Sequence, residues 1–241
     1  MRYLFIHPVF PGQFHRVMQH IAAQPGNDVL HISRQSAIDT VPGVRKLRFK
    51  LPEGAAATGH TYSRKLEEAV LQGQAVAQVA TGLKQKGFIP DLIYGYAGWG
   101  QIMFMKDIFP NTPLVGYFEW FLNAYGSEYN FDPAYPLQIE HQYFVRAANA
   151  PALLDLQSCD YGITPTHWQR HQFPAEFRPK LTVLHDGVDI ASFKPSPGAG
   201  LDIPGLTLPP GTPLVTYVTR GMEPFRGFPQ FMRALADVQA R

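Results

Sequence analysis

The sequence has a single cysteine, Cys159, in 241 residues, which excludes an internal disulfide and fits a reducing compartment. No apolar run approaches the roughly 20 residues that are needed to span a bilayer. The apolar run at the N-terminus is too short for a signal peptide and has no small-residue cleavage site, so we expect a cytoplasmic protein. The formal net charge of +2 is too small to indicate nucleic acid as a partner.

Several chemical motifs are also absent. The chain contains no G-x-G-x-x-G dinucleotide fingerprint, no Walker loop, no G-x-S-x-G nucleophile elbow and no Cys–His pattern. His167 and His171 stand four residues apart, but without an H-E-x-x-H motif they do not indicate a metal site. The sequence therefore predicts neither a bound cofactor nor a metal.

The chain does contain a regular alternation of short apolar strands and helices, and its 45% hydrophobic content is typical of a globular protein. The predicted strands lie near 2–6, 29–32, 45–50, 91–94, 114–118, 161–163 and 181–184. The predicted helices lie near 13–23, 62–86, 100–109, 137–158 and 167–172. This alternation predicts an α/β fold with a Rossmann-like, doubly wound parallel sheet. In such sheets ligands bind outside the carboxyl ends of the strands.

The loop after the first strand contains His7 and Gly12 and opens a helix. Gly12 would let backbone N–H groups approach a ligand, and the N-terminus of a helix favours an anion. A tight turn without a ligand explains the same residues equally well.

The fourth and fifth strands end in aromatic and acidic residues. Tyr96, Gly98 and Trp99 follow the fourth strand, where they suit stacking on a sugar ring or packing of the loop on its own helix. Glu119 directly follows the fifth strand, where a carboxylate could accept sugar hydroxyls or a proton, or be an exposed residue without a role. Glu128 is a weaker candidate in the same loop.

Two further positions have both a functional and a structural interpretation. Thr166 follows the strand 161–163 and precedes a helix, so it lies at the expected ligand edge and is also a good N-cap. The basic stretch 45–50 fits peripheral contact with anionic lipid head groups or a phosphorylated acceptor, or else solvated charge on an edge strand.

The stretch 183–227 predicts a junction between two lobes. A Pro/Gly-rich passage follows the strand near 181–184, and a new apolar strand near 214–218 leads to Arg220 and Arg226 on a glycine loop before a helix. A strand, a basic glycine loop and a helix together form an anion site. We therefore predict a lobe over 1–195, a linker over 196–212 and the start of a second, also Rossmann-like, lobe over 213–241.

Three segments in this order, ITPTHWQRHQFP, VLHDGVDIASFKP and VTYVTRGMEPFRGFPQFMRAL, resemble the middle of a family 4 glycosyltransferase with the two-lobed GT-B fold. The opening FIHPVFPGQF and the run PDLIYGYAGWGQIMFMKDIFPNTPLVGYFEWF resemble the amino-terminal domain of one bacterial subgroup. The resemblance implies transfer of a sugar from a nucleotide-sugar to a glycan or lipid-linked acceptor, with retention and without a metal, in bacterial glycan biosynthesis. It also implies that the first lobe binds the acceptor and the second lobe the donor.

The resemblance further implies roles for individual residues. Those assigned to the donor diphosphate are Gly12, Arg220 and Arg226. Those assigned to the acceptor side are His7, Gly98, Trp99 and Thr166. Tyr96 and Glu119 are assigned to the reacting centre. Asp186 belongs to a turn that shapes the junction between the lobes.

The sequence departs from the family pattern at two points. Tyr96 stands where a histidine is usual, and a tyrosine cannot easily hold a positive charge at neutral pH. The family's two glutamates separated by seven residues occur nowhere in these 241 residues, so we expect no sugar transfer by this chain alone. Two alternatives remain: a glycan-binding or acceptor-binding module without catalysis, and a nucleotide-sugar epimerase of the same architecture.

Overall fold

The computed structural model of the chain describes residues 1–38, 40–54, 56–127, 129–196, 203–206, 208 and 211–239. The chain divides into two compact units, Met1–Asp186 and Gly187–Arg241. The predicted boundaries at 195 and 212 stay a prediction, because most of the predicted linker lies outside the described residues.

The centre of the first unit is a parallel sheet. The strands of the described residues are, in chain order, β1 (Arg2–Ile6), β2 (Val9–Phe10), β3 (Asp28–Ser33), β4 (Gln35–Ser36), β5 (Val44–Arg48), β6 (Leu92–Tyr96), β7 (Leu114–Tyr117), β8 (Tyr161–Thr164) and β9 (Leu181–Val183). Seven of them form one sheet in the order β5-β3-β1-β6-β7-β8-β9, and β2 pairs with β4. The chain order reverses between β1 and β6, as in a doubly wound fold.

Helices connect most of these strands. The α-helices of the described residues are α1 (His15–Ala22), α2 (Arg64–Gln85), α3 (Met105–Ile108), α4 (Ile139–Ala148), α5 (Ala150–Ser158), α6 (His167–Gln172) and α7 (Phe228–Gln239). Short 3-10 helices cover Gly12–Phe14, Ala175–Lys180 and Pro224–Arg226. Only α7 and the last of these 3-10 helices belong to the second unit.

The central strands β1 and β3 are mostly buried on both faces, which explains why they are nearly continuous apolar runs, whereas the edge strand β5 is basic and partly exposed. Leu4 and Ile6 of β1 belong to one core, which also contains Val76 of α2. Phe5, between them, points to the opposite face and joins a second core with Met18 of α1. The predicted α/β fold with a doubly wound parallel sheet is therefore confirmed, and all seven strands predicted for it are present.

Two predicted helices are shorter than expected. The helix predicted over 137–158 is interrupted at Asn149, because Pro151 has no N–H to donate and its ring would clash with a preceding carbonyl. The helix predicted over 100–109 is reduced to α3. Gly100 has φ +94°, and a Cβ there would lie 1.9 Å from the carbonyl oxygen of Ala69 in α2, so the chain turns sharply before a helix can begin.

The strand predicted over 214–218 is not formed, although the helix predicted after Arg226 is present as α7. A strand needs a hydrogen-bonded neighbour, and the described part of the second unit offers only an isolated bridge between Ile203 and Leu206. The sequence pattern also missed β2 and β4, because two residues are too few to show any periodicity.

Candidate functional site

The loops that follow β1, β6, β7 and β8 meet at one edge of the sheet, because the four strands run parallel. These loops, all in the first unit, carry most of the residues that the sequence analysis selected. Contacts at this edge join His7, Gly12, Tyr96 and Glu119 into one cluster.

Glu119 is at the centre of this cluster and is partly exposed. Its Oε2 accepts hydrogen bonds from the hydroxyl of Tyr96 and, at 3.4 Å, from Nε2 of Gln13. Nε2 of Gln169 donates to the Glu119 backbone carbonyl at 2.9 Å. The two side-chain hydrogen bonds fix the orientation of the carboxylate. Because a carboxylate has about four lone-pair positions, it can still accept hydrogen bonds from the hydroxyl groups of a ligand.

The Tyr96 ring stacks on Tyr117, with centroids 5.8 Å apart and an interplanar angle of 25°. The Tyr117 hydroxyl donates to both carboxylate oxygens of Asp186, at 2.8 and 2.9 Å. Burial, together with this carboxylate, raises the pKa of Tyr117, so its hydroxyl stays protonated and remains a donor. Sequence reasoning missed Tyr117. The usable signal was its position at the end of a strand: Tyr96 and Tyr117 are the last residues of neighbouring parallel strands, and the two are paired in the sheet.

His7 is buried behind Tyr96, with the two rings 4.8 Å apart and steeply inclined. Its Nδ1 lies 2.6 Å from the carbonyl oxygen of Val9 and 3.0 Å from the Val9 nitrogen. Burial lowers the pKa of His7, although the Val9 carbonyl and Glu119 oppose the shift. The ring is therefore neutral near pH 7, and the acceptor-binding role predicted for it stays a prediction.

Gly12 has φ +59°, and a Cβ there would lie 2.3 Å from Nδ1 of His7. Only glycine lets this turn lie so close to the imidazole ring. The turn leads through the 3-10 helix Gly12–Phe14 into α1. Gln13, its next residue, reaches Glu119, which brings the predicted donor loop against the predicted reacting centre.

The Gly98 loop is anchored to α5 by a buried carboxylate. The backbone N–H of Gly98 donates to Oδ2 of Asp155 at 2.7 Å, and Asp155 has no exposed surface. Burial raises the pKa of Asp155 to about 7, against a smaller opposite effect of the Gly98 hydrogen bond. Sequence reasoning missed Asp155, although a single aspartate within the apolar run PALLDL of a helix was a usable signal.

Thr166 caps α6. Its Oγ1 accepts a hydrogen bond from the Gln169 backbone nitrogen at 3.1 Å and donates to Gln169 Oε1 at 2.8 Å. Since Gln169 also holds the Glu119 carbonyl, Thr166 reaches the cluster through one intermediate residue. The acceptor-binding role predicted for Thr166 stays a prediction.

A cleft of about 730 Å³ opens beside this cluster. The loops after β1, β3, β5, β6 and β7 line it, together with α2, α4 and α5. Gly98, Trp99 and Trp120 are in its wall, and the Trp120 ring lies 5.4 Å from that of Trp168. Its volume is within the range of small-molecule sites.

The two predicted donor arginines belong to the second unit. Arg226 ends the 3-10 helix before α7, and its Nε lies 2.6 Å from Oε2 of Glu223. Its guanidinium also lies 5.5 Å from the centre of the Phe225 ring. A phosphate at Arg226 would therefore compete with a carboxylate. Arg220 precedes this turn, and the donor-binding role of both residues stays a prediction.

The basic strand is engaged within the protein. Arg45 forms a two-pronged ion pair with Asp28, with its Nη2 2.7 Å from each carboxylate oxygen, and Lys46 donates to Ser36 at 2.9 Å. Contact of this stretch with a membrane stays a prediction. Glu128 lies outside the described residues.

Two searches of the described residues gave negative results. No group of three or more His, Cys, Asp or Glu side chains in that part of the chain is arranged to hold a metal ion. Within the same residues, no helix has both the length and the apolar character to cross a membrane.

Residues 25–193 match the family model described as glycosyl transferase family 4 group. A search of curated proteins gave no match. The chain is similar to the structure of Phytolacca americana UGT2 complexed with UDP-2-fluoro-glucose and pterostilbene, at 12% identity over 77% of this chain and 54% of that one, with a TM-score of 0.45. It is also similar to UDP-GlcNAc 2-epimerase from Methanocaldococcus jannaschii, at 10% identity over 76% and 45% of the two chains, with a TM-score of 0.43. The chain thus spans about half the length of these structures.

Proposed function

The chain belongs to the glycosyl transferase family 4 group, and on that premise we propose that it contributes to the transfer of a sugar from a nucleotide-sugar to a glycan or lipid-linked acceptor. The observation that carries the proposal is the Glu119–Tyr96 pair at the ligand edge of the sheet, where Glu119 is hydrogen-bonded to Gln13 of the Gly12 turn and is followed by Trp120 in the wall of the 730 Å³ cleft. We assign the cleft to the acceptor and the Gly12 turn to the donor diphosphate.

The proposed reaction breaks the bond between the anomeric carbon and the diphosphate, and forms a bond from that carbon to an acceptor oxygen. Glu119 accepts hydrogen bonds from hydroxyls at the reacting centre and is our candidate to take the acceptor proton. Tyr96 donates to Glu119 and, as a neutral phenol, orients this carboxylate. Tyr117 and His7 hold the Tyr96 ring from two sides.

Negative charge grows on the diphosphate as the bond breaks. We assign its neutralisation to Arg220 and Arg226, whose guanidinium groups can bind phosphate oxygens in pairs. With two arginines in that role, the mechanism that we propose needs no metal. We further propose retention at the anomeric carbon and a place in bacterial glycan synthesis in the cytoplasm. Retention and the role in glycan synthesis follow from the family resemblance, as does our expectation that transfer needs donor-binding residues in addition to these 241. The proposed cytoplasmic location rests on the cysteine content and the N-terminal sequence.

Transfer is tested in the full-length protein by measuring nucleoside diphosphate release from UDP-, GDP- and ADP-glucose with oligosaccharide and lipid-linked acceptors. We expect Glu119→Gln to lower kcat/KM by about 10²- to 10⁴-fold, the usual contribution of a positioned acid or base. Glu53→Gln, at an exposed glutamate, is the matched control and should leave the rate unchanged. NMR of the product gives the anomeric configuration, and activity in EDTA tests metal independence.

Two results would contradict the proposal. Epimerised donor in the absence of any acceptor would make the protein an epimerase. Acceptor binding without transfer from any of the three donors would make it a binding module.

A further inference from the structure

The cleft beside the Glu119 cluster has a charged rim. Three cations, Arg34, Arg64 and Lys65, line it with one carboxylate, Glu68. Nζ of Lys65 lies 3.3 Å from Oε2 of Glu68, so this pair is internally balanced. The guanidinium groups of Arg34 and Arg64 have no hydrogen-bond or ion-pair partner among the described residues. The rim therefore carries two uncompensated positive charges.

Two of these cations lie at a helix end where positive charge is unfavourable. Arg64 and Lys65 are the first two residues of α2, which is 22 residues long. The N-terminus of a helix carries a partial positive charge, so cations there are unfavourable and an anion is favourable. Ser63 does not cap the helix, because its hydroxyl donates to the carbonyl of His60. Glu67, the acidic residue of the first turn, accepts a hydrogen bond from the Gly59 backbone nitrogen at 2.9 Å and is thus partly engaged.

An independent feature of the same cleft points to a ligand with hydroxyl groups. Gln101 lines the cleft and is only 2% exposed, yet its Oε1 has no hydrogen-bond partner among the described residues. A buried amide oxygen without a partner costs free energy that a ligand donor can recover. Trp99 and Trp120 add exposed aromatic faces on the wall, and the Lys65 ammonium lies 5.3 Å from the centre of the Trp99 ring.

We propose that this cleft selects an acceptor glycoside that carries a negative charge, a phosphate or a carboxylate, on or next to the sugar ring. The anion binds Arg34, Arg64 and the first turn of α2. The sugar ring lies against Trp99 and Trp120, and a ring hydroxyl donates to the Gln101 amide once that side chain rotates towards the cleft. This inference rests on the proposed function, because it names the class of acceptor that the cleft takes.

The test is equilibrium binding of glucose 6-phosphate, glucuronate and glucose to the 241-residue chain, followed by intrinsic tryptophan fluorescence or ligand-observed NMR at low ionic strength. We expect at least one of the two anionic sugars to bind about tenfold more tightly than glucose, the change expected for one charge-assisted hydrogen bond. The phosphate and carboxylate arms identify which anion the rim prefers. Equal binding of all three sugars would overturn the proposal.

Two variants separate the parts of the cleft. Arg64→Gln should weaken binding of the preferred anionic sugar about tenfold and leave glucose binding unchanged, since only the charge-assisted contact is lost. Lys86→Gln removes one exposed positive charge from just beyond the other end of α2 and should change neither. Gln101→Met should weaken all three sugars but not inorganic phosphate. An equal effect of Arg64→Gln and Lys86→Gln would refute a local anion site.

This binding test fails independently of the transfer test. Glycosyl transfer to a neutral acceptor, without preference for the anionic sugars, would remove this inference and keep the proposed function. Tight binding of an anionic sugar without transfer from any donor would keep the anion site and remove the proposed function.

Discussion

Replacement of Asp155 by asparagine should change how the stability of the protein depends on pH. Asp155 is completely buried, and burial raises its pKa from 3.8 to about 7. The folded protein therefore keeps this proton up to about pH 7, whereas the unfolded chain releases it near pH 4. Because the folded state binds more protons between these values, this residue makes folding less favourable as the pH rises through that window.

The size of the effect follows from the two pKa values. Their difference is about three pH units at about 1.4 kcal/mol each, so the ionised carboxylate costs about 4 kcal/mol above pH 7. Between pH 4.5 and pH 8, a practical range, the change is about 3 kcal/mol. Asparagine has no charge to bury and keeps an oxygen for the Gly98 N–H. Its NH₂ group adds a cost of about 1–3 kcal/mol if unpaired, but this cost does not vary with pH.

The assay is urea unfolding of the wild type and Asp155→Asn at pH 4.5, 6 and 8. The stability of the variant relative to the wild type should rise by about 3 kcal/mol across this range. Asp107→Asn, at an exposed aspartate, is the control and should run parallel to the wild type. Parallel curves for Asp155→Asn as well would refute the reasoning, because they would mean that the carboxyl titrates at its ordinary pH inside the folded protein.

Two further predictions concern stability near the site. Thr166→Ala should lower the free energy of unfolding by about 1 kcal/mol, because the bond to the Gln169 nitrogen that caps α6 is lost. Thr166→Ser keeps the capping hydroxyl and should retain most of this stability. If urea unfolding showed an equal loss of stability in both variants, the cap would not be the cause. Gly12→Ala should cost more than the about 1–2 kcal/mol of a left-handed alanine, since its Cβ also displaces His7. Gly26→Ala, also at positive φ but with open space around it, should lose only the stability that the left-handed backbone costs. Equal losses in melting temperature for the two variants would show that His7 moves aside without cost.

Much of the fold was predictable because burial on both faces leaves a strong sequence signal. Most of the seven parallel strands are short apolar runs, although β5 is basic, and their alternation with helices predicts a doubly wound sheet. The position of the reversal, between β1 and β6, was not predicted. Helix ends were less predictable. The positions of Asn149 and Pro151 divide α4 from α5, yet an apolar pattern on both sides makes them look like one helix. The pairing of β2 with β4 depends on tertiary contact alone.

The residues of the candidate site that lie at strand ends were predictable. Those that contact the site through a long side chain from another element were not. Tyr96 ends β6 and Glu119 lies two residues after the end of the neighbouring parallel strand β7, so the topology brings them together. Gln13 and Gln169 reach Glu119 from a turn and a helix, and nothing in their spacing indicates it. Asp155 was hidden for a related reason, because a carboxylate within a helix is usually solvated and this one is not.

The small pairing of β2 with β4 connects the segment before the Gly12 turn to the rim of the cleft. The carbonyl of Pro8 accepts hydrogen bonds from the backbone nitrogens of both Arg34 and Gln35, each at 3.0 Å. The segment that continues into the Gly12 turn is therefore clamped to the segment that carries Arg34 on the rim of the cleft. A ligand that pulls the Gly12 turn must carry Arg34 with it or break both bonds. Under the roles that we propose, a diphosphate bound at the Gly12 turn is therefore expected to change the position of Arg34 on the rim of the acceptor cleft.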